Sequence, residues 1–343
     1  FDAGGGKYLR SDALTRREFV DALDRLVGDI STLADELERY EDRSEEMPGL
    51  LARAKAIAGR LSDWRDDSRA DLIRWADVSA NGWQLHATPL SVAEIFKKQT
   101  EASARSWIFT SATLSAGGDF SLFTRQLGLE AAKSQSWASP FDYANAGRIY
   151  VPRNLPPPNS PEHTKAVIAE ALELVTISGG RAFLLFTSLR ALRQCAEVFP
   201  QLLKDRDLDF PVLTQNDAPK GELLRRFRSL GNAVLIGSQS FWEGVDVAGD
   251  ALSLVVIDKL PFASPDDPVL AARMKHLEEQ GGSPFMDWQV PQAAMSLKQG
   301  AGRLIRSETD RGVLAICDES SIDSVNSVRA DCPALRTVVA AGT

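Results

Sequence analysis

Cysteine is scarce: Cys195, Cys317 and Cys332 stand far apart in 343 residues and are odd in number. A disulfide framework is excluded, and the spacing fits neither zinc nor an iron–sulfur cluster. Reduced thiols in a cytoplasmic protein are the expectation. Long apolar runs are missing too. The longest, such as Leu252–Ile257, are strand-sized, against the roughly 18 residues a membrane span needs. The opening Phe1-Asp2-Ala3-Gly4-Gly5-Gly6 has no starting Met and no leader pattern, so the expectation is a chain that begins inside a longer protein. Positive charge is not in excess. With 39 Lys and Arg against 47 Asp and Glu, the net charge of −8 argues against a polyanion binder acting by bulk charge, though not against a local basic groove. No Gly-x-Ser-x-Gly elbow occurs, and none of His86, His163 and His276 sits beside a plausible nucleophile. A hydrolase is disfavoured, and each histidine reads as a surface or packing residue.

What is present is ordinary for a globular protein, at 44% hydrophobic and 25% charged, over a length that suggests two domains. Residues 14 to about 75 read as two antiparallel helices. Leu23, Leu26, Val27, Ile30, Leu33 and Leu37 fall at helical spacing, as do Leu50, Ala54, Ile57, Leu61 and Trp64. From about residue 78 short apolar strands alternate with amphipathic helices. The strands are expected at Trp83–His86, Trp107–Thr110, Arg148–Val151, Ala182–Thr187, Pro211–Thr214, Ala233–Gly237, Leu252–Asp258 and Gly312–Cys317. Helices are expected near 91–104, 162–178, 189–199, 219–229, 265–280 and 287–306. This alternation argues for a parallel sheet covered by helices.

Four segments carry chemistry. In Gln299-Gly300-Ala301-Gly302-Arg303-Leu304-Ile305-Arg306, the residues Gln299, Gly302, Arg303 and Arg306 share one face if the segment is a helix. Two guanidinium forks a turn apart match phosphate oxygens, and Gly302 leaves room for a phosphate or a second backbone. That set suits stabilisation of a transferring γ-phosphoryl group; the competing reading is a pair of arginines bound to surface carboxylates. Gly237-Ser238-Gln239-Ser240-Phe241-Trp242-Glu243-Gly244-Val245-Asp246 follows an apolar strand, where ligands bind in open α/β sheets. Ser238 and Ser240 can donate to nucleic-acid phosphates, and Trp242 can stack a base or pack in the core. Glu243, Gly244 and Asp246 are candidates for the nucleotide side, or for capping the following turn. Thr110-Ser111-Ala112-Thr113-Leu114 also follows a predicted strand, and its hydroxyls can relay hydrogen bonds or simply end the strand. Thr187 or Ser188 is a plausible helix N-cap at a phosphate-binding strand end. Lys220, Arg225, Arg226 and Arg228 on a later helix read chiefly as a solvated face.

In order and spacing, TSATL, LLFTS, GSQSFWEGVDV and QGAGRLIR resemble motifs III, IV, V and VI of superfamily-two helicases. His86–Ala93 and Ile257–Pro268 resemble the DinG/XPD group, most closely its YoaA branch. The resemblance runs from about residue 80 to 318. It implies a second RecA-like motor domain with flanking helices, 5′ to 3′ movement on single-stranded DNA, and ATP with Mg²⁺ in the full-length protein. By position it implies that Arg303 and Arg306 reach the γ-phosphate and that Gln299 and Asp246 line the nucleotide side. It also implies that Thr187, Ser188, Ser238 and Ser240 face DNA phosphates and that Ser111 and Thr113 couple the domains. The expected divisions are an arch-like helical segment at 1–77, the end of the first motor domain with motif III at 78–117, and the second motor domain with motifs IV–VI at 118–343. A replisome subunit of the clamp-loader chi type is the partner implied by the YoaA likeness.

The chain departs from the group at three places. No GxxxxGK[ST] loop occurs, since Gly5-Gly6-Lys7 is followed by Tyr8. No Asp-Glu-Ala-His-like metal motif occurs. The four clustered cysteines of many relatives are absent, so an iron–sulfur cluster would belong to the missing N-terminal part. No metal ligands are expected, and the chain alone is expected to lack ATPase activity. The alternative is a non-enzymatic DNA-binding or partner-docking module that retains the fold.

Overall fold

Alternation along strands and burial of small and aliphatic residues along helices organise the chain. The computed structural model describes residues 6–66, 69–79, 82–102, 105–111, 113–115, 118–137, 141–238, 241, 251–263, 267–305, 307–318 and 336–339. These fall into two units. The first comprises Phe1–Ser103, Gln126–Gly128 and Ala263–Pro284, and the second Ala104–Arg125, Leu129–Phe262 and Phe285–Thr343.

The first unit opens with strand β1 (Gly6–Leu9), the short helix α1 (Arg10–Leu14), and helices α2 (Arg17–Arg39) and α3 (Met47–Arg65). Helices α2 and α3 pack as an antiparallel pair through Ala34, Leu51 and Ala54, backed by Ile30 and Leu37. The ion pairs Lys55–Glu38 (2.8 Å) and Arg65–Asp24 mark that direction. Strands β2 (Leu72–Ser79) and β3 (Gly82–Pro89) join β1 in an antiparallel sheet of order β1-β2-β3. The helical reading of 14–75 is therefore corrected at its end: helix stops at Arg65 and strand begins at Leu72. Period-two alternation wins there. Trp75 faces His86 as a cross-strand pair, the rings stacking at 3.9 Å, while Ala76 on the opposite face packs with Trp64 of α3. The predicted strand at Trp83–His86 exists, but in this antiparallel sheet rather than the parallel one. Helix α4 (Ala93–Glu101) follows. Helix Pro268–Glu279 also belongs to this unit. It is N-capped by Asp267, which accepts from Val269 N and Leu270 N, and tied to the strands by Lys7–Asp267 (3.1 Å) and by Arg273 donating to the carbonyls of Pro89 and Leu90.

Helix α5 (Ser121–Leu127) and the single turn α6 (Tyr143–Ala146) precede the main sheet of the second unit. The sheet is built from β4 (Gly147–Val151), β5 (Ala182–Phe186), β6 (Val212–Thr214), β7 (Val234–Ser238), β8 (Leu254–Ile257), β9 (Gly312–Ile316) and β10 (Arg336–Val339). Helices α7 (His163–Ser178), α8 (Leu189–Lys204) and α9 (Lys220–Leu230) connect the earlier strands. Pro268–Glu279 is α10 in chain order, and α11 (Val290–Leu304) precedes β9. The order is β10-β4-β9-β8-β5-β7-β6, every neighbour parallel.

Both sheet faces are covered, which is why β5, β7 and β8 read as continuous apolar runs. Phe183, Leu185, Leu235, Val255 and Ile257 pack with Phe227 of α9 and Leu297 of α11. Leu184, Phe186, Val234, Ile236 and Val256 pack with Val167 and Leu172 of α7 and Leu192 and Phe199 of α8. Cys195 and Cys317 lie in that second layer, and burial raises both thiols, leaving them unreactive fillers. At Gly180, φ is +79° and a Cβ would sit on the Asn232 carbonyl, so only glycine fits where α7 turns into β5. The expected strand at Trp107–Thr110 is not formed: residues 106–111 are irregular and Ile108 is 82% exposed.

Candidate functional site

In a parallel sheet all carboxyl ends lie on one edge, and the order β9-β8-β5-β7 makes neighbours of four of them. Asp258 follows β8, Thr187 and Ser188 follow β5, and Ser238 ends β7. Asp258 is buried, and its carboxylate accepts from Thr187 N (2.9 Å), Thr187 Oγ1 (3.2 Å) and Lys259 N (2.8 Å). Burial pushes its pKa up from 3.8 to about 6, against the pull of the Thr187 backbone bond and the Lys259 charge. On the next strand pair Asp318 accepts from Leu260 N at 3.2 Å. His163, at the start of α7, is 2% exposed, with Nδ1 2.8 Å from the Pro156 carbonyl and Nε2 3.0 Å from the Asp258 carbonyl. It is thus a packing histidine that anchors Asp258 from behind.

Ser188 is the N-cap of α8 and accepts from Ala191 N at 3.2 Å. Ser238 is held by its own N–H, which donates to Gln215 Oε1 at 2.8 Å. Gly237 lets Phe241 fold under the strand end, since a Cβ there would lie 3.1 Å from the ring. Lys220 Nζ sits 5.5 Å from the centre of that ring, and Arg225 and Arg226 both pair with Glu222, which fits the solvated-face reading of α9.

The segment read as motif III meets the one read as motif VI. Gln299 Nε2 donates to Thr113 Oγ1 at 3.2 Å, and Thr113 Oγ1 lies 3.2 Å from Ser111 Oγ. Gly302 and Arg303 lie in α11 by backbone, but the helix ends at Leu304, and Ile305 is extended (φ −122°, ψ 103°). The expectation of one helical face from Gln299 through Arg306 is therefore corrected: the face stops at Arg303. Leu304 and Ile305 are both buried in the core layer, and the chain leaves the helix to bury the second, entering a turn in which Asp310 accepts from Ser307 N and Oγ. The side chain of Arg303 lies outside the described residues, as do Arg306, Ser240, Trp242, Glu243, Gly244 and Asp246.

Sequence reasoning missed Asp258 and Gln215, whereas His163 is the packing residue its sequence setting suggested. A buried acid directly after a fully apolar strand was the available signal for Asp258. Among the described residues no group of three or more His, Cys, Asp or Glu could hold a metal ion. With no phosphate loop in the sequence either, the described residues do not make a complete site for a magnesium triphosphate.

A doubly covered parallel sheet with hydroxyl-bearing loops on its carboxyl edge is a doubly wound α/β architecture, the class to which the RecA-like motor domains of helicases belong. A family profile, the helicase C-terminal domain, matches residues 171–328. The chain is 45% identical over 276 residues to the ATP-dependent DNA helicase YoaA of Escherichia coli, covering 80% of this chain and 43% of that one. It is 39% identical over 318 residues to the YoaA helicase of Haemophilus influenzae, covering 92% and 49%. The ATP-dependent helicase DinG of Mycobacterium tuberculosis is 42% identical over 238 residues, covering 68% and 35%. The solved structure of S. tokodaii Xpd4 superposes with a TM-score of 0.59 at 14% identity, covering 97% of this chain and 72% of that one, which shows a shared fold. The chain belongs to the DinG/XPD-type superfamily-two helicases and carries the C-terminal helicase-like motor domain of a DinG/YoaA-type protein. It spans about half the length of the YoaA relatives it matches. No helix among the described residues is long and apolar enough to cross a membrane.

Proposed function

We propose that this chain is the DNA-gripping and phosphate-sensing half of a cytoplasmic ATP-dependent helicase that moves 5′ to 3′ on single-stranded DNA in repair or replication. The observation that carries the reading is the Gln299–Thr113 hydrogen bond, which joins two motif segments 186 residues apart. A hydroxyl relay touching the helix that bears Arg303 is a route by which occupancy of a phosphate site changes the posture of a neighbouring segment. In this reading Arg303 and Arg306 stabilise charge on the transferring γ-phosphoryl group, with Gln299, Gly302, Glu243, Gly244 and Asp246 on the nucleotide side. Thr187, Ser188, Ser238, Ser240 and Trp242 lie along the DNA, and Ser111 and Thr113 couple. The segment 1–77 serves as an arch, 78–117 closes the first motor domain and 118–343 forms the second. The phosphate loop, the Mg²⁺ ligands and any iron–sulfur cluster belong to the remainder of the parent protein, and a clamp-loader chi-type subunit is its proposed partner.

Because positioning and electrostatics supply nearly all of phosphoryl-transfer catalysis, the chain alone should turn over no more ATP than a buffer blank. Arg303→Ala in the parent protein should lower DNA-stimulated turnover by about 10³-fold or more with nucleotide binding retained. Turnover by the isolated chain that Arg303→Ala abolishes would refute the division of labour. Unchanged turnover in the parent variant would refute the role of Arg303.

A further inference from the structure

The first unit contains a cavity of about 410 Å³ between α3 and strands β2 and β3, within the size range of small-molecule sites (about 300–1,000 Å³). Strand alternation directs Arg74 onto the same face of the sheet as Leu72 and Ala76, the face that packs against α3. An aliphatic residue would serve packing there. Arg74 is instead 5% exposed, and its Nε and Nη2 have no hydrogen-bond partner among the described residues. Nη1 reaches only the Arg69 carbonyl, at 3.5 Å. Asp71 lies close enough to attract Arg74 but spends its hydrogen bonds on Arg69, so the Arg74 fork is removed from water with two nitrogens unsatisfied, a costly arrangement in a protein interior. The lining adds Arg60 and Arg69, and two indoles, Trp64 and Trp83. Arg69 is engaged by Asp71 at 2.9 Å, and Trp64 donates its own N–H to the His86 carbonyl at 3.0 Å. Among the described lining residues the one carboxylate is Asp63; with Asp71 beside Arg69, two acids stand against the guanidinium groups of Arg60, Arg69 and Arg74, one negative charge short.

We propose that this cavity is a binding site for a phosphate group, with Arg74 Nε and Nη2 forming the bidentate fork and Trp83 supplying a flat apolar wall for a base. The phosphate is carried either by a free nucleotide or by a nucleic-acid strand. The site is built wholly from the first unit and does not depend on the motor reading, whose motif residues all lie in the second.

The test is titration of the full chain with inorganic phosphate, dTMP and a twelve-residue oligo(dT), read by indole fluorescence and calorimetry, for wild type, Arg74→Met and Arg74→Lys. Saturable binding of at least one probe below about 10 mM is expected, weakened at least tenfold by Arg74→Met and partly restored by Arg74→Lys. Without ligand, Arg74→Met should melt no lower than wild type, because it removes a buried charge with unsatisfied nitrogens, and this separates loss of the site from loss of the fold. Only binding that Arg74→Met weakens counts for the cavity: if that Arg74-dependent affinity is at least tenfold tighter for the oligonucleotide than for dTMP, a strand is the source, and if equal or weaker, the free nucleotide; either supports the site. No saturable binding of any probe, or equal binding by wild type and Arg74→Met, overturns it. Failure here leaves the ATPase predictions for Arg303 untouched.

Discussion

Replacing Asp258 by asparagine should make this protein more stable at neutral pH, and by an amount that depends on pH in a defined direction. The folded carboxyl titrates near 6 against an ordinary 3.8. Folded Asp258 therefore holds its proton more tightly than unfolded Asp258. Its contribution is full below about pH 3.8 and is lost as pH rises through about 6. The total corresponds to about 3 kcal/mol at 25 °C. Roughly a third is already lost by about pH 4.5, so about 2 kcal/mol remains to be lost between there and pH 7.5. Asparagine keeps the geometry: its Oδ1 accepts from Thr187 N and Lys259 N, and its amide can donate to Thr187 Oγ1, which donates to the wild-type carboxylate. It does so without a buried charge. Urea unfolding of wild type and Asp258→Asn, compared at about pH 4.5 and pH 7.5, isolates this group from every other carboxylate. The advantage of the variant should grow by about 2 kcal/mol over that range. A change of less than about 0.5 kcal/mol, or growth toward acid, would refute the reasoning, since it would mean that hydrogen bonds and not burial dominate the carboxyl.

Gly180→Ala should cost well over 1 kcal/mol in urea unfolding, because it combines a left-handed backbone with a clash on the Asn232 carbonyl; a cost near zero would mean the α7–β5 turn relaxes freely. Ser188→Ala should cost about 1 kcal/mol through loss of the α8 N-cap, and Ser188→Asp should recover most of it; loss of single-strand binding by the parent protein in both variants would locate a DNA contact at that hydroxyl. In the parent protein Trp242→Ala should weaken single-strand binding by about 1–3 kcal/mol if the indole stacks a base, and unchanged affinity in a filter-binding assay would reject that role.

The sheet of the second unit was legible because its central strands are runs of apolar residues and glycine that end in a polar break. Ala182–Phe186, Val234–Ser238, Leu254–Ile257 and Gly312–Ile316 lie within a residue or two of where the runs put them. Strand β2 was not legible, because Arg74 and Asp77 interrupt its apolar faces and Trp64 and Trp75 can be read on one helical repeat. Trp107-Ile108-Phe109 failed in the opposite sense. It has strand composition, but a strand also needs a neighbour to bond, and composition does not name one. The helix carrying Gln299 was found and its end misplaced, since a buried pair at Leu304 and Ile305 can be satisfied by leaving the helix as well as by continuing it. Trp242, Glu243, Gly244 and Asp246 lie outside the described residues, so their roles rest on position in the motif.

Ser188 is held within its own segment as the α8 N-cap, but other segments at the carboxyl edge are fixed from outside. Thr187 is fixed by an acid from the next strand, Ser238 by an amide from the loop after β6, Leu260 by Asp318 beyond β9, and Thr113 by an amide from α11. Such bonds link segments that are distant in sequence and adjacent only through strand order, which is why residue patterns reveal the hydroxyls and miss their supports. They also give the edge a physical property that a row of independent loops lacks. A shift at one strand end changes the hydrogen-bond geometry of its neighbour, because the partner is a side chain on the adjacent strand rather than water. The buried carboxyl of Asp258 takes three donors on one group, and His163 contacts its backbone carbonyl from behind. A carboxylate whose burial costs stability at neutral pH is hard to explain as a stabilising device; as a fixed acceptor that holds the Thr187 backbone and hydroxyl at the end of β5, it is explained by position.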